Sequence, residues 1–299
     1  MIVPLTYLLQ KAQESGYALG YFEAWDSYSL EAVIDAAETE NAPVILGFGC
    51  MMVSESWMDA GGIEILGNIG LTFAERTHLP VALLLNEART YQQCLIGIQA
   101  GFNAVMLDTS TWQIEPAIEK VRELVRVAHA QSVAVEAELG HLPDATEQGI
   151  DASLSSLTDP KEAASFVERT GIDCLAVSIG NVHLLTHSLA DIDLTRLAAI
   201  HELTPVPLVI HGGTGFPPEA IPSAIRYGVA KFNVGTSLKK SFMAGISESV
   251  LAFNGTANVH DIVGSHKEQD FLLAGKRSMQ AKVEAYLQLY GSSGRAKDM

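Results

Sequence analysis

Cysteine is scarce. The chain of 299 residues has three, Cys50, Cys94 and Cys174. None forms a CxxC pair, and each lies in or beside an apolar run. That excludes a disulfide framework and a cysteine-rich zinc module, and points to buried thiols in a reducing cytoplasm. Basic charge is also short. Nineteen Lys and Arg face 35 Asp and Glu, a formal net charge of −16. Such a balance excludes a nucleic-acid partner and an anionic membrane surface, while leaving room for a local anion site. No apolar run approaches the ~20 residues of a membrane span. Met1–Gln10 runs straight into Lys11-Ala-Gln-Glu-Ser15, so neither a leader nor an anchor is expected. No stretch rich in glycine or proline divides the chain, so residues 1–299 are expected to form a single domain. With 48% hydrophobic and 18% charged residues, the core is ample.

What the chain does have is alternation. Short apolar runs at 17–22, 43–47, 80–85, 104–107, 133–139, 174–179, 207–210 and 229–234 predict strands. Stretches with helical spacing follow each of them: 28–40, 61–77, 91–100, 114–130, 160–170, 194–203, 217–227 and 237–251. Asp26 or Ser27 is placed to cap the first of these helices. Eight successive βα units in about 250 residues is the count of an α/β (β/α)8 TIM barrel. An open doubly wound sheet rarely needs eight units without a further domain. Residues 258–289 predict a C-terminal helical extension, and 291–299 a frayed tail.

In such a barrel the chemistry gathers at the C-terminal ends of the strands. The polar residues there are Glu23 and Asp26, Asn86 and Glu87, Asp108 and Ser110, Glu136, Glu138 and His141, Asn181 and His183, His211, and Asn233 and Thr236. Two imidazoles and several carboxylates on one rim suit a divalent metal with an open position, so His183 and His211 are the candidate ligands. Glu136 and Glu138 share one strand face, and either could instead form an internal salt bridge. His141 and His187 are expected to be ordinary loop histidines. His78, His129, His201, His260 and His266 are expected to be solvated, Lys239 a surface lysine, and Trp25, Trp57 and Trp112 packing residues. The turns Gly212-Gly213-Thr214-Gly215 and Asn233-Val234-Gly235-Thr236 end strands seven and eight, where barrels often bind phosphate through loop N–H groups.

Four stretches have a familiar order: Val135-Glu-Ala-Glu-Leu-Gly140, Ser178-Ile-Gly-Asn-Val-His183, Val209-Ile-His-Gly-Gly-Thr-Gly215 and Lys231-Phe-Asn-Val-Gly-Thr236. On these the chain resembles the class II, metal-dependent ketose-bisphosphate aldolases, over about Tyr17 to Leu251. The resemblance implies one Zn2+ per subunit, which polarises a ketose carbonyl and stabilises the enediolate left by aldol cleavage. It implies His183 and His211 as ligands and Glu138 as an acidic residue beside the metal. Gly212, Gly213, Thr214, Gly235 and Thr236 would hold a phosphate, and Asn233 would face the reacting carbons. A sugar or sugar phosphate is then the small-molecule partner, a monovalent cation a second candidate ligand, and a cytoplasmic homodimer or homotetramer the expected state.

The departures fall on the site. Where the family has His-Leu-Asp-His after strand three, this chain has Leu84-Leu85-Asn86-Glu87. The family's acid/base Asp is Asn86, which exchanges no proton at neutral pH. Its third histidine ligand is Glu87, which can still bind zinc through oxygen, giving Glu87, His183 and His211 as the expected metal set. A carboxylate in that place lowers the charge of the site and its Lewis acidity. The family's glycine after the strand-six histidine is Leu184, which crowds the pocket. Phe22-Glu23 stands for Phe-Asn and adds a carboxylate at the mouth. The expected activity is an aldolase acting on a substrate other than fructose 1,6-bisphosphate, with Glu87 or Glu23 as base and Asn86, Glu138 and Asn233 around it. A metal-dependent sugar epimerase or isomerase, or an inactive sugar-phosphate-binding relative, are the alternatives. The retained histidines and anion turn disfavour the inactive relative.

Overall fold

In the computed structural model, residues 1–143, 145–146, 149–150, 156–182, 189–253, 255–256 and 258–299 are described. Eight parallel strands close on themselves: β1 (Leu19–Glu23), β2 (Val44–Gly49), β3 (Val81–Ala88), β4 (Ala104–Leu107), β5 (Ala134–Leu139), β6 (Cys174–Val177), β7 (Leu208–Ile210) and β8 (Val229–Val234). β1 pairs with β8 as well as β2, with Tyr21 opposite Asn233, and so completes the barrel. Both faces of these strands are buried, one inside the barrel and one under the helices. That is why they are nearly continuous apolar runs rather than alternating ones.

The outer ring is α2 (Ser27–Glu40), α3 (Ile63–Arg76), α4 (Tyr91–Gln99), α5 (Ile114–His129), α6 (Pro160–Thr170), α7 (Leu194–Leu203), α8 (Ile221–Arg226) and α9 (Thr236–Ala252). They follow α1 (Leu5–Ser15), which precedes the first strand. Side-chain caps mark several starts: Asp26 accepts from the Ser29 amide, Thr90 from Gln93, and Asp159 from Lys161 and Glu162. The helix expected over 217–227 is instead a 3-10 turn, Pro218–Ala220, running into the short α8.

Two regions differ from expectation. The first is α1, which the sequence reading left without structure. Its Leu5, Leu8, Leu9 and Ala12 are fully buried and join Leu19, Ala82, Leu84, Ala104, Ala134 and Cys174. Helical spacing puts those four on one stripe, which plugs the barrel end opposite the candidate site. Each buried leucine contributes about 1.5–3 kcal/mol. The second is the tail, which does not fray. The amides of Gly294 and Ala296 donate to the carbonyls of Glu40 and Asn41, at 2.8 and 3.1 Å. These are otherwise orphaned acceptors at the C-terminus of α2.

The last long helix, α10 (Phe271–Leu289), packs on α2 and α9, with Met279, Val283 and Leu287 buried. Asp270 starts it. Its carboxylate is fully buried and accepts from the amides of Leu272, Ser265 and His266 and from the Tyr28 hydroxyl. Burial alone would raise its pKa. The Tyr28 hydroxyl and the backbone N–H donors outweigh burial and hold it below the usual carboxylate value. Because the folded value is depressed, this stabilisation is present above the unfolded pKa and is lost as pH falls through the folded one. Asp270→Ala is expected to cost about 2–3 kcal/mol at neutral pH in a denaturant titration, and less at a pH below its depressed pKa. An equal cost at both pH values would refute the assignment.

Candidate active site

Strand alternation builds the interior in layers. On β5, Ala134, Glu136 and Glu138 share a face, and on β8 Lys231 and Asn233 do. Glu136 and Lys231 are fully buried, with Nζ 2.8 and 2.7 Å from the two carboxylate oxygens. The ammonium also donates to Asn233 Oδ1 at 2.6 Å, and Asn233 Nδ2 reaches Asn86 Oδ1 at 3.5 Å. Burial would push Glu136 up, but Lys231 and His211 hold its pKa down, to about 2. Of the two readings left open for this strand, Glu136 takes the salt bridge and Glu138 faces the mouth.

His211 follows β7 and is 1% exposed. Its Nε2 lies 2.9 Å from Glu136 Oε1. Its Nδ1 lies 3.2 Å from Glu87 Oε1 and 3.2 Å from Glu138 Oε2. Burial alone would lower the imidazole pKa, but these carboxylates raise it to about 10. Glu138 moves to about 7, chiefly through burial, with Glu87 and Asp108 adding repulsion. From the other side, Asn181 Nδ2 donates to the His211 carbonyl at 2.9 Å and fixes the backbone beneath the ring. Glu87 has φ +52°, in the left-handed region, where the β3–β4 register shifts between Leu85 and Ala88. A non-glycine residue rarely stays there unless its surroundings hold it, and such residues concentrate at functional sites.

The anion turns stand beside this cluster. Gly212 has φ +70°, and a Cβ on it would lie 2.4 Å from the Val182 carbonyl oxygen, so only glycine fits. The Thr214 hydroxyl accepts from the Ser237 amide at 3.2 Å in the first turn of α9. Gly235 opens against Glu23: a Cβ there would meet Glu23 Oε2 at 2.2 Å. Lys239 Nζ donates to Glu23 Oε1 at 2.6 Å and lies 5.6 Å from the Trp25 ring centroid. A cleft joins these groups, lined by Tyr21, Glu23, Asn86, Glu87, His211, Gly212, Thr214, Asn233, Gly235 and Thr236 among others.

The structure thus brings together every predicted site residue but two. Gly213 lies under the cleft, buried against the Asn233 carbonyl. His183 falls outside the described residues, as do Leu184 and His187. Among the described residues, no group of three or more His, Cys, Asp or Glu side chains is arranged to hold a metal. Sequence reasoning missed the role of Lys231, which sits in a quoted motif, and the pairing of the partly exposed Lys239 with Glu23. Trp25 packs edge-on against Phe242, whereas Trp57 and Trp112 are 42% and 39% exposed. His129 and His266, expected to be solvated, pair with Asp173 and Glu31.

Comparison with known proteins decides the family. The profile of class-II fructose-bisphosphate aldolase matches residues 3–295. The chain belongs to the class II fructose-bisphosphate aldolase family. It is 34% identical to the fructose-bisphosphate aldolase of Geobacillus stearothermophilus, over 99% of both chains. It is also 34% identical to that of Thermus caldophilus, over 99% of this chain and all of the other. The crystal structure of the YdjI aldolase from Escherichia coli K12 superposes with a TM-score of 0.82 at 29% identity, covering 99% of this chain and 100% of that one. A class II aldolase is a metal-dependent lyase, and the donor chemistry here agrees. Glu136 holds His211 Nε2 and leaves Nδ1 facing two carboxylate oxygens. An outer carboxylate orienting a histidine whose other nitrogen faces the ligand position is the usual support of a metal-bound imidazole.

Proposed function

We propose that this aldolase is zinc-dependent and cleaves a ketose or ketose phosphate other than fructose 1,6-bisphosphate. The observation that carries the reading is His211 Nδ1, turned by Glu136 toward Glu87 and Glu138 at the end of β7. His211, Glu87 and His183 would hold the ion, with Glu138 beside them. Nitrogen and carboxylate oxygen form a recognised catalytic zinc set. When bound, the ion supplies Lewis-acid polarisation of the substrate carbonyl.

The protein's own groups do the rest. Asn233, held by Lys231, presents its amide to the cleft and orients the reacting end. The Gly212, Thr214, Gly235 and Thr236 turns, supported from beneath by Gly213 and with Lys239 close by, take an anionic group on the ketone half. In cleavage the C4 hydroxyl gives up its proton as the C3–C4 bond breaks. Asn86 cannot accept it, so the acceptor is a rim carboxylate, Glu87 or Glu23. The changes from the usual aspartate and histidine to Asn86 and Glu87 are why the substrate is read as divergent. Three buried free thiols suit a reducing cytoplasm, and a homodimer or homotetramer is the assembly we infer.

Elemental analysis of the purified protein, followed by triose release from a panel of ketose phosphates and free ketoses, tests this. Protein that neither contains nor takes up zinc would sink it. The double variant Asn86→Asp, Glu87→His is expected to raise ketose-phosphate cleavage by about tenfold or more, since it supplies the missing proton acceptor. Histidine is among the residues that tolerate the positive φ at position 87. An unchanged rate would leave Leu184, which stands where the family has glycine, as the block.

A further inference from the structure

Glu87 divides the mouth into two connected lobes. The first, described above, carries the anion turns. The second shares Met52 and Glu87 with it and continues over Met51, Met106, Asp108, Ser110, Thr111, Glu138, His141 and Leu142. It is lined by the same carboxylates that contact His211 Nδ1, and Gly212 is not among its lining residues. A substrate whose ketone half lies on the anion turns therefore extends its aldehyde half into this second lobe.

The lobe lacks what a phosphate needs. Among its lining residues there is no lysine or arginine. The nearby Arg89 is not among them, and its Nη2 is committed to the carbonyls of Met51 and Val53 at 2.9 and 3.0 Å. Lys239 belongs to the first lobe and pairs with Glu23. The segments 144–155 and 183–188 contain no lysine or arginine in their sequence. Three carboxylates, Glu87, Asp108 and Glu138, face the space instead. A phosphate dianion there would meet like charges in a partly desolvated cleft. The remaining polar groups suit hydroxyls: carboxylates accept from them, and Ser110 and Thr111 can donate or accept. His141 Nδ1 is buried with no hydrogen-bond partner among the described residues. The methionines offer an adaptable apolar wall to C–H faces.

We propose that the second lobe binds the aldehyde half as an uncharged polyhydroxy chain, so that the substrate carries no phosphate at that end. This rests on the aldolase reading above and names its substrate class. In the synthetic direction, the C–C bond forms between C3 of the ketone donor and the aldehyde carbon. The donor loses one proton from C3, and the aldehyde oxygen gains one.

The experiment uses the full-length zinc-loaded protein with dihydroxyacetone phosphate as donor. Aldol addition is measured with glyceraldehyde, erythrose and their terminal phosphates. Exchange of the donor C3 proton with deuterated solvent is followed by NMR in parallel. The expected result is a kcat/KM at least about tenfold higher for the uncharged aldehydes. Met51→Lys, at a side chain already 39% exposed, is expected to shift that preference about tenfold toward the phosphorylated aldehydes. Preference for the phosphorylated aldehydes in the parent protein overturns the inference, whether the cation comes from this chain or a second copy. Proton exchange without addition to any aldehyde overturns it as well. Absence of both exchange and addition overturns the aldolase reading itself.

Discussion

Lys231→Met is expected to destabilise the protein by about 3–5 kcal/mol, because it leaves the Glu136 carboxylate buried without its cation. Both groups are fully enclosed in the barrel, and Nζ satisfies both carboxylate oxygens and Asn233 Oδ1. The damage reaches the site by two routes. Asn233 loses the donor that fixes its amide, and Glu136 loses the charge that keeps it a steady acceptor for His211 Nε2. Guanidinium unfolding reads the first effect and triose release the second. The control is Glu136→Gln combined with Lys231→Met. Removing both charges leaves no orphan ion, so the double variant is expected to recover much of the stability while activity stays low. Additive losses in the double variant would show that the pair does not act as a unit.

This pair also shows where sequence reasoning stops. The eight strands were legible because strands buried on both faces are uninterrupted apolar runs between helical stretches. The rim was legible because barrel strands deliver their C-terminal residues to one mouth, which is how His211, Asn233 and the glycine turns were found. Lys231 stands in the same motif as Asn233, but its partner lies 95 residues earlier, and only closure of β5 toward β8 brings them together. A lysine between Ala230 and Phe232 in a core strand was itself a signal, since a buried ammonium needs an internal counter-ion. Lys239 was missed for a related reason: one turn of helix aims it at Glu23, from a strand 216 residues away. The plugging helix α1 was visible in the spacing of Leu5, Leu8, Leu9 and Ala12. An apolar segment so near the N-terminus also fits a targeting segment, and the spacing alone does not name the barrel end it covers.

His211→Ala is expected to abolish turnover, by roughly 10³-fold or more in kcat/KM, and to lower the zinc content of the purified protein. The imidazole is the only described side chain that meets the buried ion-pair layer through one nitrogen and the mouth through the other. Without it, Glu87 and Glu138 lose the group between them and repel each other, and Glu136 loses a donor. Glu136→Gln leaves the Lys231 ammonium unpaired and is expected to lower stability as Lys231→Met does, but in the protein that stays folded it separates positioning from ligation. A glutamine can still accept from His211 Nε2 but carries no charge, so metal affinity is expected to fall by about 10–100-fold while saturating zinc restores most of kcat. For His211→Ala no zinc concentration is expected to restore it. Full zinc content and near-normal cleavage in His211→Ala would remove this residue from the metal site. The ligand role would then fall to other rim residues, and the cluster around Glu136 would be a device of barrel stability alone.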